Sequence, residues 1–154
     1  TEARRLQWII VVSLALAALG VVAHLKGYSA DAWMLRTTQS LQHQQIDGIV
    51  ADLKQASDPE RRSRAVYSLL LNIGGMEPAL RRFCVGHPRL VLREQRFTTG
   101  LGPQNGWLLL DRDEAVFGFI ERKDADSAQP GDQQMLGRGY AIFYAEQIAE
   151  NLAP

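Results

Sequence analysis

The sequence predicts the α+β class: an N-terminal single transmembrane helix and a helical stalk, then helices covering a small antiparallel β-sheet, and a C-terminal helix. Three observations predict it. Apolar residues first run almost unbroken from Leu6 to Leu25. They then recur at spacings of three and four between Ile46 and Ile73, the period of a helix face. After Arg89 the period falls to two, that of a strand. Helices grouped apart from strands along a chain give one sheet with its helices gathered on a face.

The first run holds no Asp, Glu, Lys or Arg. About 20 helical residues at 1.5 Å each cover roughly 30 Å, the depth of a bilayer's hydrocarbon layer. A core helix would carry a polar face, and the centre of this run has none. A cleaved secretory signal shares the basic start at Arg4 and Arg5 and a small-residue site at Val21-Val22-Ala23. A pilin-type helix would carry a Glu a few residues in, where this run has only Gln7. The run is therefore read as a retained span over residues 6–26, anchored by Trp8, Leu14, Leu19, Tyr28 and Trp33, with the aromatic residues at the two interfaces. Arg4 and Arg5 precede it and only Lys26 follows closely, so the charge bias places residues 1–5 in the cytoplasm and the C-terminal domain outside. The expected address is the inner membrane of a bacterial-type cell, single-pass, with a periplasmic or extracellular domain.

Residues 27–57 read as a membrane-proximal helical stalk. Ile46, Ile49, Leu53 and Ala56 mark one stripe, and Gln42, Gln45, Asp52 and Gln55 mark the opposite face. The domain is expected over 58–154. Asp58-Pro59 starts a helix, with Asp58 as cap and Pro59 in the first turn. Its buried face is Ala65, Val66, Leu69, Leu70 and Ile73, and Gly74-Gly75 ends it. A short helix runs from Pro78 to about Cys84. Arg89 to Thr98 alternates as a strand, and Thr99 to Gly106 reads as a loop with three glycines and Pro103. Trp107 to Leu110 is a buried strand, Asp111 to Glu114 a turn, and Ala115 to Glu121 the return strand. Arg122 to Gln134 is polar and reads as a mobile connection. Ala141, Tyr144, Ala145, Ile148 and Leu152 form the stripe of a last helix.

Composition narrows the function classes. Lys plus Arg and Asp plus Glu number 17 each, so the basic excess of a nucleic-acid binder is missing. One cysteine excludes an internal disulfide. Cys84 and His87 are the sharpest chemical pair, since a thiolate beside an imidazole makes a nucleophile and both can ligate metal. A zinc site needs more ligands, and His24 and His43 lie in the anchor and the stalk. A capped helix end with a buried thiol is the expected reading. Gly100 to Gly106 lacks both the dinucleotide spacing and the Lys-Ser/Thr of a phosphate loop. Asp111, Asp113 and Glu114 lack the spacing of a calcium loop and read as a solvated turn. No cofactor and no metal are expected.

The layout is similar to that of inner-membrane assembly components of secretion and pilus machines, and to that of extracytoplasmic sensor modules, although no stretch carries a signature of either. The leading expectation is a membrane-anchored, non-enzymatic accessory or assembly subunit. Its partners would be the lipid bilayer and other membrane-protein subunits, met through Ala15, Ala18 and Gly20 on the span and Ile46, Ile49 and Leu53 on the stalk. The alternative is a ligand-binding sensory module serving a separate signalling protein, with Trp107, Phe117 and Phe119 lining a small pocket.

Overall fold

The apolar run forms one uninterrupted helix, α1 (Glu2–Leu25), with no buried residue. It is long and apolar enough to cross a membrane. The structure is a computed structural model that describes residues 1–26 and 30–154, with the backbone alone at residue 125. Thr1–Ser40 and Leu41–Pro154 are two compact units. The first holds α1 and the opening turns of α2 (Ala30–Leu53). There the hydroxyls of Thr37 and Thr38 donate to the carbonyls of Trp33 and Met34, one helical turn back, at 2.9 and 2.8 Å.

The second unit begins inside α2. Ile46, Ile49, Val50 and Leu53 are all buried there, which corrects the expected boundary at residue 58. The stripe, expected either to pack on its own domain or to make a short coiled-coil contact, is a core face of the domain. Two more helices complete that layer, α3 (Pro59–Leu70) and α4 (Met76–Cys84). Asp58 caps α3 by accepting the Arg61 N–H at 3.0 Å, as its position before Pro59 predicts. Ala65, Val66, Leu69 and Leu70 are buried as expected, but Ile73 is 89 % exposed. α3 stops before Ile73, so the helical period no longer carries that side chain inward. Gly75, at φ +97°, turns the chain into α4. A Cβ there would strike Arg138, Tyr140 and Glu121, so only glycine fits.

The sheet has five antiparallel strands in the order β1-β2-β3-β5-β4. They are β1 (Leu90–Thr99), β2 (Gly102–Asp111), β3 (Glu114–Arg122), β4 (Gln133–Met135) and β5 (Arg138–Tyr144). The first three form the expected meander, with Leu90 opposite Asp111 and Trp107 opposite Phe119. Arg112 and Asp113 both take positive φ, the twist that suits a two-residue hairpin. The expected loop at 99–106 is instead most of a ladder, with Thr99 paired to Gly102 and Arg96 to Asn105. Gly106 is a strand residue because a Cβ there would run into the Phe119 carbonyl and the Phe97 ring. The Phe97 ring also lies over Gly118 and stacks on Phe143, with ring centroids 4.7 Å apart.

Two further expectations are overturned past Arg122. The polar connection contains a turn of 3-10 helix (Ala125–Ser127) and β4. The last helix is shorter than its stripe implied, because Arg138–Tyr144 is β5 and only α5 (Ala145–Asn151) is helical. Tyr140-Ala141-Ile142-Phe143-Tyr144 satisfies a period of two as well as a helical stripe, and pairing with β3 decides the matter. One sheet face carries Leu90, Leu109, Phe117, Phe119 and Tyr140 against α2, α3 and α4. The other carries Phe97, Leu108, Leu110 and Ile120 against Ile148 of α5.

Candidate functional site

The expected anchor residues lie on open helix surface. Trp8 is 70 % and Trp33 65 % exposed, and Leu14 and Leu19 are alike. Tyr28 lies outside the described residues. Ala15, Ala18 and Gly20 are equally bare, and a Cβ on Gly20 would meet nothing within 4 Å. The stalk half of the expected partner surface is corrected. Ile46, Ile49 and Leu53 pack into their own domain, at 0, 9 and 1 % exposure.

The aromatic trio is corrected in the same way. Phe117 and Phe119 are fully buried in the core between sheet and helices. Trp107 packs at the margin of that core, with the Arg81 guanidinium 5.1 Å from its ring centroid. Arg81 in turn donates to Glu77 at 2.6 Å. These are packing positions, and none of the three borders the recess between β2, β3 and the segment after Arg122.

Cys84 and His87 follow one another across the end of α4, where the His87 N–H donates to the Cys84 carbonyl. Burial pushes the Cys84 thiol up to about 11. The His87 ring is committed at both nitrogens. Nδ1 accepts the backbone N–H groups of Arg89 and Leu90, each at 3.1 Å, so Nε2 carries the proton and donates to Asp47 at 2.8 Å. His43 packs edge-on against it and donates to the Val85 carbonyl. An imidazole so occupied orders the entry to β1 and ties it to α2. It has no lone pair to offer a thiol. Among the described residues, no three His, Cys, Asp or Glu side chains gather as a metal site.

The polar seam continues from there. Arg89 donates to the same Asp47 oxygen at 2.7 Å and lies 3.6 Å from Asp111. Lys54 donates to Asp111 at 2.7 Å. Asp111 is not the solvated turn residue expected from its neighbours, since its side chain is nearly buried. The Lys54 hydrogen bond holds its carboxyl below the usual carboxylate range, with the charges of Lys54, Arg89 and Arg112 adding to it. Glu146 lies in the first turn of α5. The free N–H at that helix start lowers its carboxyl first, and Arg62 adds to the effect at 2.6 Å while lying over the Tyr144 ring.

Sequence reasoning missed one polar cluster altogether. Asp132, expected in a mobile connection, is 5 % exposed. Its Oδ2 accepts Arg122 Nε at 2.5 Å and the Gln129 N–H at 3.0 Å, so the segment after β3 wraps around it. Arg122 Nη1 also donates to Gln104 Oε1. The available signal was Arg122 at the end of a mostly apolar strand, beside Glu121. Its partner Asp132 lies ten residues on, and no periodicity links the two.

No family model matches this chain, and no curated protein or solved structure shows significant similarity to it.

Proposed function

We propose that this protein is a membrane-anchored, non-enzymatic accessory subunit of a membrane protein complex, held by α1 and displaying Leu41–Pro154 outside the cytoplasm. One observation carries the reading: the chain holds both a 24-residue helix whose long apolar run has no buried residue and a domain that closes its own core. Such a helix gains free energy only from lipid or from other spans. Arg4 and Arg5 before the apolar run, against Lys26 after it, favour a cytoplasmic N-terminus in the inner membrane of a bacterial-type cell. The small residues Ala15, Ala18 and Gly20 allow a neighbouring span to approach closely.

Two measurements test this. Expression near the native level, extraction in mild detergent and sizing should return a particle containing other membrane subunits. Recovery as a lone monomer counts against the subunit role. A cysteine-free variant with a single reporter cysteine after Pro154 should react with an impermeant maleimide in intact spheroplasts. Reaction only after lysis overturns the orientation.

A further inference from the structure

We propose that the recess between the β1–β2 turn and the segment that follows β3 binds a small neutral ligand through oxygen acceptors, a carbonyl or a hydroxyl. The site lies wholly within Leu41–Pro154 and is independent of the anchor. It has a volume of about 410 Å³, bordered by Leu101, Gln104, Ile120, Arg122, Ser127 and Gln129. That size is within the range of small-molecule sites.

The floor of the recess carries the argument. The Arg122 side chain is only 8 % exposed, and two of its three nitrogens are occupied, Nε by Asp132 and Nη1 by Gln104. Arg122 borders the recess, and its guanidinium carries further N–H donors beyond these two bonds. Gln104 gives its carbonyl oxygen to Arg122, so its amide NH₂ remains to donate. The two groups differ in chemistry but both are donors.

Their surroundings select the ligand. Asp132 is 5 % exposed and committed to Arg122 and the Gln129 N–H, so it cannot compete as an acceptor. Glu121 also borders the space, but its carboxylate lies 3.4 Å from Arg138. The Arg122 and Asp132 charges cancel at short range, which removes most of the attraction a free anion would feel. What remains is a pair of fixed donors beside the apolar edges of Leu101 and Ile120. The buried guanidinium is already immobilised, so a ligand would bind it with little further ordering. A sugar and a peptide-like amide both present such oxygens.

Protein-observed proton–nitrogen NMR on the full chain in phosphocholine micelles tests the assignment, with N-acetylglucosamine, N-acetylalanine methylamide and sodium acetate as probes. At least one neutral probe should saturate and shift the Gln104 side-chain amide signal, and whichever arm responds identifies the source of the acceptor. Gln104→Leu should weaken that probe about tenfold, the effect of losing one such hydrogen bond. Because Gln104→Leu also strips Arg122 of a partner, Gln104→Glu is the deciding variant: it keeps an oxygen for Arg122 and exchanges the donating NH₂ for a carboxylate oxygen that can only accept. Unaltered binding by Gln104→Glu overturns the proposal. So does tighter binding of acetate than of either neutral probe, or no saturable binding by any of the three.

Discussion

His87 is held at three points, by two backbone N–H groups and one carboxylate, and this sets the chemistry of its neighbourhood. With both ring nitrogens engaged, it does not activate Cys84. Burial leaves the thiol with about a hundredfold less thiolate than an unperturbed group of pKa 9.0. Iodoacetamide at pH 8 should therefore alkylate Cys84 about a hundredfold more slowly in folded protein than in urea, as followed by intact mass. Comparable rates would reopen thiol chemistry at this position. Asp111 makes the pH prediction. Its folded pKa lies below the ordinary value of 3.8, so it stabilises the fold above that value. The stabilisation drains away as pH falls through the lowered pKa. Lys54 is 40 % exposed, and screening keeps the pair near ~1 kcal/mol. Thermal midpoints of wild type and Lys54→Met should differ at pH 7 and converge on acidification below about pH 4. A gap that persists at pH 2.5 would show that Lys54 acts through its stem and not its charge.

At the scale of elements, α2 is the instructive case. One helix supplies exposed residues near its start and four core residues near its end. Leu53→Ala should cost about 2–5 kcal/mol in domain stability, because the side chain is 1 % exposed and its cavity cannot fill with water. Leu41→Ala, at a position 61 % exposed, should change it by less than about 0.5 kcal/mol. Urea unfolding followed by the Trp107 signal measures both. Equal losses would mean that α2 packs differently. The helical period was legible in the sequence, as was the choice of Ile46, Ile49 and Leu53. The brevity of the heptad pattern favoured packing on its own domain, but a stripe looks much the same whether its partner is another chain or the chain's own sheet, and the structure decides it. The same holds for β5. Ala141 to Tyr144 fits either period, and the hydrogen bonds offered by β3 settle it.

For the whole molecule, α1 and the domain follow different rules. The domain buries a core on both faces of its sheet, while α1 exposes every large apolar side chain it has. A charge at the middle of α1 should therefore weaken insertion and leave the fold alone. Leu14→Arg is expected to cost about 3 kcal/mol of insertion free energy, read as a larger carbonate-extractable fraction. The thermal midpoint of the domain should be unchanged. If extraction stays at the wild-type level, α1 does not meet lipid at Leu14.

What this sequence determined by itself is whatever rests on neighbours along the chain. The uncharged run of α1, the Asp58-Pro59 helix start, the alternation of β1, the apolar run at Trp107 to Leu110 and the turn between Asp111 and Glu114 are local patterns, governed by period, capping and backbone sterics. The tertiary structure decided what depends on residues far apart. Asp132 finds Arg122 and Gln104, His87 finds Asp47, and Gly106 gives way to the Phe119 carbonyl, none of them linked by spacing. A buried polar group must find a partner wherever the fold supplies one, and a close backbone approach exists only once the sheet has formed. That is why the apolar run was legible before the structure, and the recess beside Arg122 and Gln104 was not.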